Sequence, residues 1–455
     1  MTESSNAANL GYEQELKRAL GMKDLVIFGM TFMAPVSSQT LFGIMSGVSG
    51  GHNFLSYLIG FVAVLFTALS YGQMIPEFPA AGSVYTYTQR GIHPALGFIG
   101  GWTITLDYFL IPMFLYLISA IFANALVPAI PFWVWVLIYV VPCMVVNILG
   151  IELAAKVNLI MTGLMVASIL AFTIAAIRYA ALGIDGASLA TPTAIFNPAT
   201  FNFQGVLGGS IIAVMSYLGF DSISTLAEEA TVPPKKIGLA IIICLVMMTV
   251  LYLLTAYFGN IVAPDISVYP SADSAFFDMC MKVGGQGLQL FVTLVIIISG
   301  FATALAGQSA ASRVLYGMGR DNLIPKKFFA YLHPKFKTPV NNILLMGIIG
   351  LFGAIFIGAD VLSNMVSFGG LWGFTFVNLS VIVYWFFRKK SGNFIQHLLF
   401  PVIGIIVCQA VVFVGMIPMT RVIGFAWIGI GVIYLLIRCT KPEFRELLNN
   451  VSISE

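Results

Sequence analysis

The chain has 455 residues, of which only 9% are charged while 59% are hydrophobic and 13% aromatic, with a mean hydropathy of +0.95. A soluble chain carries about 25% charged residues, so this composition cannot cover a water-facing surface and excludes cytosolic enzymes, secreted scaffolds and nucleic-acid binders. The net charge of +3 is small; its placement along the chain is more informative than its size.

A polar stretch, Met1–Lys23, comes first, without an h-region or a small-residue cleavage site, and is read as a retained cytoplasmic segment. Twelve apolar runs follow, each near the roughly 20 residues a bilayer core requires: Leu25–Val48, Phe54–Ile75, Ala95–Leu126, Phe132–Leu149, Val157–Ile177, Val206–Leu226, Ile237–Val262, Leu288–Tyr316, Val340–Ile357, Leu362–Phe387, Leu398–Ile417 and Val422–Ile437. The runs are continuously apolar rather than alternating, which excludes a membrane β-barrel. The stretches near 178–204, 263–287 and 317–339 read as loops. With twelve spans both termini share one side. If that side is cytoplasmic, every Lys and Arg except Arg178, Lys282 and Arg421 falls inside, as the positive-inside rule expects. The fold class is therefore an all-α membrane protein of 12 transmembrane helices. It divides into residues 1–23, a first five-helix unit at 24–180, a second at 204–387, two accessory helices at 396–438 and a cytoplasmic tail at 439–455.

Lipid cannot satisfy free backbone groups, so a broken helix persists only against protein or a wet cavity. The first span carries such a break in "GMTFMAPVSSQTLFG", with Ala34, Pro35, Ser38, Gln39 and Thr40 at its centre. The sixth carries another in "SYLGFDSISTLAEE", around Gly219, Phe220, Asp221 and Ser222. These spans open the two five-span units, and because five is odd the second unit enters inverted. Matching interruptions in inverted halves point to a transporter binding site.

Asp107 lies about 18 Å into the third span, and Asp221 lies beside the second break. A carboxylate at that depth needs a partner or a proton, and no Lys or Arg falls in the central third of any span. A proton, a metal cation or a cationic substrate would balance the charge; helix N-termini and hydroxyls would be the structural alternative. Glu228, seven residues after Asp221, would share its face about 10 Å away if the helix resumes, or else form a solvated cytoplasmic pair with Lys235 nearby. Tyr108 and Trp372 suit a cavity for an ammonium group or serve as packing. Thr303, Gln308, Ser309 and Ser312 make one side of span eight polar, for an ion or as helix glue. Five cysteines form no C-x-x-C pair, and His52, His93, His333 and His397 all fall in or near loops, so neither a metal nor a haem enzyme is expected.

At these residues the chain resembles the amino acid–polyamine–organocation superfamily, whose members share a LeuT-type five-plus-five inverted fold, and more narrowly the bacterial putrescine importers. The likeness runs through "FGIMSGVSGGH" from Phe42, "VLFTALSYGQ" from Val64, "FPAAGSVYTYTQ" from Phe78, "LDYFLIPM" from Leu106, "GFDSISTLAEE" from Gly219, "ASRVLYGMGRDN" from Ala311 and "FTFVNLSV" from Phe374. The resemblance implies an inner-membrane permease importing an amino acid or an organic amine such as putrescine. It implies no cofactor, and a proton or sodium as coupling ion. Exchange, or amine sensing without transport, is the alternative. The substrate contacts it implies are Ala34–Thr40, Asp107, Tyr108, Gly219–Ser222 and Glu228. Thr40 stands where the putrescine importers are expected to have an Asp, which favours a monoamine or an amino acid. Met165 lies where some relatives carry a lysine, which leaves the coupling ion open.

Overall fold

The computed structural model describes residues 15–272, 274–358, 362 and 365–442. These form helices and connecting segments, with one isolated parallel bridge between Leu20 and Ala230. Among the described residues nine helices are long and apolar enough to cross a membrane, or ten if a pair bent by 62°, Met22–Thr40 with Phe42–Ser49, counts as one. Two further apolar helices, Phe203–Ser216 and Val340–Phe356, are shorter.

In chain order the helices are α1 Met22–Met33, α2 Ser37–Thr40, α3 Phe42–Ser49, α4 Asn53–Glu77, α5 Val84–Gly91, α6 Pro94–Leu126, α7 Phe132–Leu149 and α8 Ile151–Ala181. Then come α9 Phe203–Ser216, α10 Ser222–Thr225, α11 Pro234–Val262, α12 Ala275–Arg320, α13 Lys326–Phe329, α14 Val340–Phe356, α15 Phe368–Val381, α16 Phe400–Ala410 and α17 Pro418–Cys439. Their ends follow local chemistry. Pro94 and Pro234 open α6 and α11, where a missing N–H costs nothing. The Asn202 side chain accepts from Gln204 N–H to cap α9, and Gly50 closes α3 in the left-handed region.

Burial sorts the bundle into layers. α11 turns Leu239, Val246, Met247 and Val250 outward, whereas Ile241, Cys244, Leu245, Met248 and Tyr252 are buried. An apolar outer face suits lipid contact, and the inner faces of α1, α4, α6, α11 and α12 share one core.

Two expectations are corrected, and one helix adds to the apolar runs: α5, between the second and third of them, has Tyr85, Thr86, Tyr87, Thr88 and Gln89 all buried. Its fit depends on small neighbours, since a Cβ on Gly97 would lie 2.6 Å from the Gln89 backbone. The stretch 263–287 is only partly loop, because α12 begins at Ala275 and turns sharply at Gly285, whose φ of 68° suits glycine. Finally, the sixth run does not resume as a helix carrying Asp221 and Glu228 on one face. Only α10 and a 3-10 turn at Ala227–Glu229 follow the break, and Ala230 is extended. The reason is local: Ser222, Ser224 and Thr225 each donate a hydroxyl to the carbonyl three residues back, competing with helix propagation.

Candidate functional site: two broken helices and two buried acids

The first break follows from one residue. Pro35 has no N–H, so Thr31 O loses the donor that an unbroken helix would supply four residues on. Ala34 N–H reaches it at 3.3 Å and the Thr303 hydroxyl of α12 at 3.0 Å. Ala34 itself sits at φ 50°, outside the helical region. Beyond it α2 is held from two sides: Ser38 Oγ donates to Thr255 Oγ1 at 3.0 Å, and Ser168 Oγ donates to Gln39 Oε1 at 2.9 Å. Gln39 Nε2 is buried without a partner among the described residues, and Thr40 Oγ1 bonds back to Ser37 O.

The second break turns on Gly219. Its φ of 117° is one that L side chains rarely adopt, and a Cβ there would lie 3.1 Å from the Phe32 ring. Phe32 thus wedges α1 against the break and also faces the Tyr108 ring, centroid to centroid 6.0 Å. Phe220 packs on Tyr71 and Phe374 and is fully buried. The Ser222 hydroxyl turns back to Gly219 O.

Two acids, each about 2% exposed, belong to this region: Asp221 in the second break, and Asp107 on α6 beside Tyr108. Asp107 Oδ1 accepts from Gly369 N–H at 3.1 Å, so α6 places a carboxylate against the first turn of α15. The glycine pair permits that approach, since a Cβ on Gly369 would meet Thr103 O at 2.5 Å. Among the described residues Asp107 Oδ2 has no hydrogen-bond partner, and it lies against Gly370, where a Cβ would meet it at 2.7 Å. Asp221 Oδ2 accepts from the Tyr108 hydroxyl at 2.5 Å. Among the described residues neither carboxylate is paired with Lys or Arg; the ion pairs lie elsewhere. The helix-terminus and hydroxyl contacts named as the structural alternative are therefore present, yet one oxygen of Asp107 is left over.

A cavity of about 410 Å³ adjoins the first break. Ala34, Ser37 and Thr40 form one wall, Phe114 and Ser119 of α6 another, and Thr303 of α12 a third. Neither Asp107 nor Asp221 lines it. It lies on the far half of the bundle from residues 15–20. On the side of residues 15–20 lie buried ion pairs. Arg320 grips Glu228 with two bonds of 2.9 and 3.0 Å, Ala81 N–H adds a third at 2.9 Å, and Arg313 grips Glu229 at 2.5 and 3.0 Å. Glu229 O also accepts from Ala19 and Leu20 N–H, which ties the N-terminal segment to the end of the second break.

The amino acid permease family model matches residues 36–440. The chain belongs to that family. It is 34% identical over 435 residues to the low-affinity putrescine importer PlaP of Escherichia coli strain K12, covering 95% of each chain. It is 27% identical to the branched-chain amino acid permease BcaP of Bacillus subtilis strain 168, covering 94% of each. A methylthioribose transporter of the same organism is 28% identical, over 83% of this chain and 82% of its own.

Of the residues singled out in the permease sequence, the structure gathers Ala34, Pro35, Ser38, Gln39, Thr40, Asp107, Tyr108, Gly219, Phe220, Asp221 and Ser222 around the two breaks. It puts Glu228 apart, with Arg320. Span eight divides its polar residues: Thr303 meets the first break, Gln308 bonds Asn147, and Ser309 accepts from Arg313. Trp372 packs against Phe368, Phe376 and Phe425. Sequence reasoning passed over Tyr252, whose hydroxyl touches both breaks. Its signal was there in "TVLYLLT", which places Thr249, Tyr252 and Thr255 on one helical face.

Proposed function

We propose that this permease is a secondary transporter importing an amino acid or an organic amine across the bacterial inner membrane by alternating access. In this reading it is not an enzyme, and both termini face the cytoplasm. The two broken helices open inverted five-helix units, α15 ends the second unit, and the last two helices are accessory. The observation that carries the reading is Asp107: a buried carboxylate next to the Tyr108 that bonds Asp221 in the second break, with, among the described residues, one oxygen unpartnered and no basic residue paired with it. A lone intramembrane acid needs a cation that arrives, and an ammonium group supplies both the charge and the missing hydrogen-bond donors. In this reading Asp221, which accepts from the Tyr108 hydroxyl, takes up a proton during the cycle, and coupling is to protons rather than sodium. The cavity beside Ala34–Thr40 is then the approach from outside, and the Glu228 and Glu229 ion pairs close the inside.

Uptake of labelled putrescine and a panel of amino acids into proteoliposomes, with and without an inward proton gradient, tests this. Saturable uptake accelerated by the gradient is expected. The absence of saturable uptake for every amine and amino acid tried would refute the transporter reading; uptake driven by sodium alone would refute the coupling.

A further inference from the structure

Helix α11 lies beside both breaks and is not itself broken. Tyr252, at its middle and fully buried, has three polar neighbours around one hydroxyl. Ser37 Oγ donates to it at 2.9 Å; Met33 O lies 3.1 Å away and Ser216 O 2.9 Å away, both placed to accept. Met33 O and Ser216 O are the last carbonyls of α1 and α9, so each has lost the amide that a continuing helix would provide. A phenol has one hydrogen. It can serve only one of the two carbonyls at full strength at any moment, so the hydrogen bonding of one break depends on the other.

The neighbouring rungs of α11 do not share this property. Three residues before, Thr249 Oγ1 meets the Tyr217 hydroxyl at 3.0 Å and touches only the second break. Three residues after, Thr255 Oγ1 meets Ser38 at 3.0 Å and touches only the first. The Tyr57 ring, 4.9 Å from that of Tyr252, and the Tyr217 ring, 5.2 Å away, fix where the phenol points.

We propose that Tyr252 is a positioning residue that couples the two broken helices through its single shared hydroxyl hydrogen. The proposal rests on the transport reading for its kinetic consequence, but not for its structural one. Without the hydroxyl, the single hydrogen that the two carbonyls share is gone, the two unwound segments are no longer tied to one group and sample more conformations, and the fraction of protein with a formed site falls. Apparent affinity falls by the same fraction, whereas steps after binding are untouched.

The test compares Tyr252→Phe, Thr249→Val and Thr255→Val by hydrogen exchange on purified protein and by uptake. Phenylalanine keeps the ring and its packing, so folding is preserved. Tyr252→Phe should raise amide exchange by about tenfold at both Ser37–Leu41 and Leu218–Ser222. Thr255→Val should do so only at the first segment and Thr249→Val only at the second. In uptake, Tyr252→Phe should raise KM by about tenfold with Vmax within about twofold of the parent. Unchanged exchange in Tyr252→Phe, a rise at one break alone, or an unchanged KM would overturn the proposal. If the parent protein moves no substrate, the transporter reading fails, and the exchange pattern still decides whether Tyr252 couples the breaks.

Discussion

Pro35 removes a single N–H, and several contacts of the site trace back to that loss. Thr31 O turns to Thr303, Ala34 takes a positive φ, and the chain re-enters the helix at Ser37. Gly219 does the corresponding work in the second break, at a φ of 117° and with Phe32 against it. Alanine there would combine a disfavoured backbone with a 3.1 Å contact to the ring. Gly219→Ala should lower stability by about 1–3 kcal/mol, read as a fall in thermal unfolding temperature of the purified protein, and should cut uptake. An unchanged unfolding temperature would mean that the break relaxes around the new methyl group. Asp221→Asn keeps an acceptor for the Tyr108 hydroxyl but cannot ionise. Uptake in that variant should lose its acceleration by a proton gradient while substrate binding persists; retained acceleration would remove Asp221 from coupling.

At the scale of elements, two buried ion pairs tie the end of the second break to α12. The Glu228 carboxylate is completely buried and the Arg320 guanidinium nearly so, and breaking one partner of such a pair costs about 3–5 kcal/mol because the other is left uncompensated. Arg320→Glu should therefore reduce stability and uptake sharply. Adding Glu228→Arg should recover part of both, not all, because Ala81 N–H donates to the native carboxylate and would lose its acceptor. No recovery in the double variant, measured by unfolding and uptake together, would show that the pair acts through something other than its charge. The sequence made most of these elements readable. Every apolar run is helical in part, and both breaks fall where Pro35 and Gly219 put them. What escaped was tertiary. Glu228 read as a neighbour of Asp221 because seven residues of helix would align them, and nothing local announces that three hydroxyls divert the chain instead. The α5 segment, "VYTYTQRG", is too polar to register as a span and gains its order from burial against α6. Arg313 read as the end of the eighth span and Arg320 as a loop residue, since a partner 84 or 92 positions away leaves no mark beside either of them.

Across the whole molecule, the proposed orientation rests on the distribution of Lys and Arg. Gly186 lies in the connection after α8, on the side opposite residues 15–20, and Lys441 follows α17. A cysteine at Gly186 should react with an impermeant thiol reagent added outside intact cells, and one at Lys441 only after the membrane is opened. The reverse pattern would invert the topology. Arg445, counted on the cytoplasmic side, lies outside the described residues. Asp107 and Asp221, neither paired with Lys or Arg among the described residues, are bonded to Gly369 and Tyr108, with Asp107 Oδ2 left over among those residues; in the sequence they were legible as depth without a cation. Asp107→Asn separates charge from structure, because the amide oxygen can still accept from Gly369 N–H. The decisive measurement is equilibrium binding of a labelled amine substrate to purified parent and Asp107→Asn proteins whose unfolding temperatures match. The account predicts saturable binding to the parent and its loss, by at least about a hundredfold in Kd, in the variant. Parent-like affinity in a folded Asp107→Asn protein would contradict it.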